Sequence, residues 1–155
     1  MNRIWGFLIL FMVSGLSAEA QGTASSTPVA GAGQTNAAPA AVALEALRDG
    51  RLKVAEMKLA EIENPAAQLY VKACIEQAKG DPKRAIQTVA QAIVRYPIDP
   101  DWTAQSELMS AALYKELGLT HAANVTLRQV QALYQGTAVA EKAAAMQREI
   151  EQLKK

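Results

Sequence analysis

The residues able to do chemistry are few and poorly placed for it. His121 is the only histidine and Cys74 the only cysteine. A metal centre needs several convergent ligands, so no metal is expected, and His121 reads as a partly exposed residue in a first helical turn. One cysteine excludes an internal disulfide. Cys74 is expected to be a packed, inert thiol, with an exposed thiol able to pair with another chain as the other reading. Glu61 and Glu63 are two apart, so on a helix they diverge. Asp99 and Asp101 flank Pro100 and read as helix caps. Gly31-Ala32-Gly33 lies in an uncharged stretch with no strand before it, unlike a phosphate loop, and no serine stands in a nucleophile elbow. The chain is therefore read as no enzyme and as binding no cofactor.

The elements that position these residues follow from one pattern written three times. A glycine is followed five residues later by an alanine at Gly50-Ala55, Gly80-Ala85 and Gly118-Ala123, and the glycines are 30 and 38 residues apart. That period is typical of stacked helical hairpins. Asn64-Pro65 and Asp81-Pro82 each place a capping side chain before a proline suited to a first helical turn. Pro97 and Pro100 bracket another break, with Asp99 or Asp101 as its cap, and Thr120 and Thr137 restart the chain after Gly118 and Gly136. These marks predict seven helices near 41–49, 51–63, 65–79, 82–96, 101–117, 120–134 and 137–153. Joints this short turn each helix back on its neighbour.

Periodicity predicts which faces are buried. Ala55, Leu59 and Ile62 recur at helical spacing, as do Ala85, Val89 and Ala92, and Ala123, Leu127 and Val130. Val139, Ala143, Met146, Ile150 and Leu153 form one face of the last helix, whose charged back suits a cap on an open stack. Trp102 is expected as a packing wedge between hairpins. Half of the 155 residues are hydrophobic and only 5% aromatic, and 31 are alanine, the best helix former. The fold class is all-α.

Composition also bounds the compartment and the partners. The net charge is +1, and removing Arg3 and Glu19 takes one charge of each sign. With no basic field to hold phosphates, nucleic acid is not an expected partner. Asn2 and Arg3, the apolar run Ile4 to Leu16 and Ala18-Glu19-Ala20 form an export signal over residues 1–20, with cleavage after Ala20. A run of about 13 apolar residues is short of the roughly 20 that span a bilayer. The alternative is an uncleaved inner-membrane anchor, the one case in which the membrane is a partner. Residues 21–40 are small, uncharged and unable to offset the entropy of ordering, so they are expected to be a flexible linker before a helical domain over 41–155.

The chain resembles the tetratricopeptide repeat family, best in Gly80-Asp81-Pro82-Lys83-Arg84-Ala85 through Val89 and Ala92 to Tyr96-Pro97. The likeness returns in Tyr114, Leu117-Gly118, Ala123, Leu127 and Tyr134, and a small residue stands seven before each glycine at Ala43, Ala73 and Ala111. The span from Tyr96 to Leu153 is similar to periplasmic members of the Tol-Pal and outer-membrane assembly type. No tryptophan occupies the family's first-helix position, and only Tyr96-Pro97 keeps the closing proline. The resemblance implies a short right-handed α-solenoid of antiparallel hairpins with a C-terminal capping helix. It further implies a concave groove built by the first helix of each hairpin, holding Leu44, Leu47 and Arg48, then Tyr70, Cys74 and Gln77, then Leu108, Ala112 and Lys115. Leu44, Leu47 and Leu108 have ordinary core positions as their other reading. The expected function is an exported scaffold or adaptor in the bacterial envelope, periplasmic or secreted, that binds a protein or peptide. The alternative is a structural protein that self-associates into a homo-oligomer through its apolar faces.

Overall fold

The computed structural model of the protein describes residues 37–152. The export signal, most of the expected linker and Leu153 lie outside the described residues. Seven α-helices and no strand are found among them: α1 (Ala37–Arg48), α2 (Leu52–Leu59), α3 (Pro65–Ala78), α4 (Pro82–Arg95), α5 (Pro100–Glu116), α6 (Thr120–Leu133) and α7 (Ala138–Gln152).

The repeated glycines stop helices by one mechanism. Gly50, Gly80 and Gly118 have φ of 70°, 80° and 76°, the left-handed region that a side chain disfavours. In each case the glycine N–H donates three residues back and the next N–H donates five residues back. Gly80 thus reaches the Gln77 carbonyl and Asp81 the Glu76 carbonyl, at 2.9 and 3.1 Å. Gly50 with Arg51, and Gly118 with Leu119, repeat the arrangement. This Schellman pairing satisfies carbonyls that a helix end leaves bare.

Helix starts are equally local. Asn64 Oδ1 accepts from the Ala67 N–H at 2.9 Å, Asp81 Oδ1 from Arg84 at 3.0 Å, and Asp99 Oδ1 from Trp102 at 3.4 Å. Asp99, rather than Asp101, is therefore the cap of α5. Thr137 Oγ1 accepts from the Ala140 N–H at 3.3 Å. Thr120 opens α6 without capping it; Leu119 holds the cap position and, being apolar, makes no side-chain cap bond, while its N–H closes the Schellman turn at Gly118.

Two boundaries differ from expectation. α1 begins at Ala37 and takes in the last four residues of the expected linker. Pro39 is tolerated so near a helix start, and Ala40 is fully buried in the first core cluster. α2 ends at Leu59 rather than 63. Pro65 forces Asn64 out of helical geometry, to φ −68° and ψ 116°, and the intervening turn drops Ile62 into the core.

Each helix packs on the next, and α1 also packs on α3, α3 on α5 and α5 on α7. α2, α4 and α6 pack on none of each other. The core is three clusters in series. Ala43 and Ala55 share the first, Ala73 and Ala85 the one around Leu113, and Ala111 and Ala123 the one around Leu127. All six alanines are completely buried, so the small residue before each glycine and the one after it meet in one core. Val89, Leu127 and Val130 are also sealed, each contributing about 1.5–3 kcal/mol relative to exposure. α5 touches α3, α4, α6 and α7 and buries residues around much of its girth, as expected of a central helix. A polar clamp closes the α3–α4 hairpin: buried Glu76 accepts from Thr88 Oγ1 at 2.6 Å and forms an ion pair with Arg84 Nε at 3.3 Å.

Candidate functional site

The odd-numbered helices carry every residue of the expected groove, and the structure sorts those residues into three groups. Leu44 and Arg48 of α1 line a hollow of about 490 Å³ with Ala41, Glu45 and Trp102. Leu44 is half-buried and Arg48 exposed. Leu47 is half-buried against the first core cluster.

Tyr70, Cys74 and Gln77 face α5 rather than open solvent. The Tyr70 and Trp102 rings lie 5.5 Å apart, tilted by 48°, within the range of favourable aromatic pairs. Cys74 Sγ is 3.7 Å from Met109 Sδ, and Gln77 Nε2 donates to Glu116 Oε2 at 2.8 Å. The caps of these two helices touch as well, with Asn64 Nδ2 donating to Asp99 Oδ2 at 2.9 Å. A ladder of four contacts thus zips α3 to α5 from end to end.

The α5 residues behave differently again. Leu108, expected on the groove floor, is a core residue only 9% exposed in the cluster with Ala123, Leu127 and Ile150. Its offset from Gly118 turns it towards α6 and α7, whose apolar faces need a bulky partner there. Ala112 is half-buried. Lys115 Nζ pairs with Glu149 Oε2 of α7 at 2.8 Å. Trp102 fits the wedge expected of it, being half-buried against both Tyr70 and the first core cluster. Its place in the wall of the α1 hollow is not legible in the sequence, because only the α3–α5 packing brings it opposite Leu44.

The electrostatics follow from this packing. Burial pushes the Cys74 thiol up to about 12, which keeps it protonated and unreactive near neutrality. Burial, reinforced by Cys74, also raises the Tyr70 phenol. Burial lowers Lys142 of α7, and the Arg48 charge adds to that shift, so cations of α1 and α7 come within electrostatic reach of each other. His121 is exposed, and no cluster of metal-ligating side chains occurs among the described residues. No described helix is long and apolar enough to cross a membrane.

A second cleft carries no signal in the sequence. It opens between α4 and α6 over α5, with Ile86, Ile93 and Val94 on one wall, Thr126 and Gln129 on the other, and Glu107 in its floor. Neither a family model, nor a curated protein, nor a solved structure matches this chain.

Proposed function

We propose that residues 37–152 form a short tetratricopeptide-like solenoid that serves as a scaffold or adaptor, docking a peptide or helix of a partner protein without catalysis. The observation that carries the reading is the packing order: odd helices pack on one another while even helices do not. A stack of hairpins joined along one edge curves, with α1, α3, α5 and α7 inside. The hollow walled by Leu44, Arg48 and Trp102 then lies on the inner side, apolar with a charged edge, as helix-in-groove binding requires. The N-terminal signal pattern supports an exported, envelope-located protein that keeps the domain on a linker.

The docking surface in this reading is smaller than the nine expected residues. Leu44 and Arg48 are its core, extended by Trp102, while Tyr70, Cys74, Gln77 and Lys115 stiffen the stack that presents it. Leu44→Asp and Arg48→Glu are expected to abolish partner capture in intact cells while circular dichroism stays helical. Retention of the same partners by both variants would overturn the assignment.

Self-association is the second reading, favoured by Met57, Val94, Ile98 and Leu133, which are between 61% and 93% exposed. Sedimentation separates the two: a concentration-independent monomer contradicts the homo-oligomer.

A further inference from the structure

Glu107 is out of place by ordinary folding logic. It is the only acidic or basic residue lining the cleft between α4 and α6, and its Oε2 is buried with no hydrogen-bond partner. Burial raises its carboxyl, and a hydrogen bond between that carboxyl and the Tyr134 phenol partly offsets the shift. A buried carboxylate oxygen without a donor is destabilising. The cations of the two flanking helices, Lys83, Arg84, Arg95 and Arg128, neither line the cleft nor pair with Glu107. Arg84 is instead held by Glu76.

The shape of the cleft narrows what could supply a counter-charge. α4 and α6 do not pack on each other, so the gap over α5 stays open, with a volume of about 220 Å³. That is below the roughly 300–1,000 Å³ of small-molecule pockets, and suits one or two inserted side chains. Its walls are aliphatic on the α4 side, at Ile86 and Ile93, and Val94 at the rim is 78% exposed. One negative group beneath an aliphatic wall is complementary to a cationic head on an apolar stem, which is the shape of arginine or lysine.

We propose that this outer cleft is a docking seat for a segment of a partner protein, which inserts an arginine or lysine onto Glu107 and rests an aliphatic neighbour against Ile93 and Val94. The seat is independent of the inner hollow, lying on the even-helix side, and either surface works without the other. Occupation adds a counter-charge to the Glu107 carboxylate and covers Val94 in one step. An acidic or purely apolar segment is rejected, because it repels the carboxylate or brings it no counter-charge.

The test uses the full chain, isotopically labelled, with n-butylguanidinium as an arginine side-chain probe and butyrate as its anionic counterpart at matched ionic strength. The expected result is saturable amide shifts confined to the neighbourhood of Glu107, Ser110, Thr126 and Gln129 with guanidinium, and none with butyrate. Glu107→Gln is expected to stay folded and to weaken guanidinium binding about tenfold or more, the loss of one charge-assisted contact. The seat is overturned if no saturable shift occurs, if the shifts lie elsewhere, or if Glu107→Gln binds equally well. Movement of the same amides on dilution without probe would assign the cleft to a second copy and overturn the foreign-segment proposal.

Discussion

Glu107 and Cys74 show how one cause, burial, raises two acids with different consequences. The Glu107 carboxyl is raised by desolvation, so the folded state holds its proton more tightly than the unfolded chain. The stability penalty is therefore absent below the ordinary carboxylate range and develops as pH rises through the raised value. Glu107→Gln should accordingly raise the Tm at pH 7.5, and the gain should shrink as thermal melts are run towards acid pH. A lower Tm for the variant at neutral pH would mean that Oε2 has a partner in solution. Cys74, held up to about 12, should react with iodoacetamide at pH 7.5 at least about tenfold more slowly in the native than in the denatured chain, because little thiolate is present. Neither behaviour is legible in full from the sequence. An inert Cys74 is among the expected readings, whereas nothing in the spacing marks Glu107, whose environment is built by α4 and α6, remote in the chain.

At the scale of elements the sequence is most informative where structure is set locally. The glycine stops and the caps at Asn64 and Asp81 need only neighbouring residues, and each stands where the spacing predicts it. No atom lies within 4 Å of a Cβ added at Gly80, so Gly80→Ala should lose stability through backbone strain alone. The expected loss is about 1–2 kcal/mol in urea unfolding. Thr88→Val removes the donor to buried Glu76 and should destabilise by about 1–3 kcal/mol in the same measurement. What local rules miss is tertiary. Ile62 is buried as expected, but from a turn rather than from α2, because Pro65 ends helical geometry just beyond it. α1 starts at Ala37 because Ala40 finds a core that composition alone could not reveal. The offset from Gly118 carries Leu108 to a groove, yet on a helix packed against four others most positions meet a neighbour.

The described residues, 37–152, form three core clusters in series, with the α3–α5 ladder between α3 and α5 and α7 packed on α5 and α6. α7 covers Leu127 and Val130 with Ala143 and Ile150, which is the role its one-sided apolar pattern predicts. Truncation after Gly136 should bare that cluster and leave hydrogen-exchange protection in α3 and α4 above that in α6, since α7 packs on α5 and α6 and on neither α3 nor α4. Uniform loss of protection would instead indicate a single cooperative core. Docking on the inner side is the claim from which the adaptor reading follows. Its most direct test is photo-cross-linking in intact cells, with the reactive side chain placed at position 44 or 48 in the hollow and at exposed position 91 of α4 as the reference. A discrete adduct with another protein is expected from positions 44 and 48 and none from 91. Adducts of equal yield from all three positions, or only dimers of the chain itself, would contradict docking on the inner side.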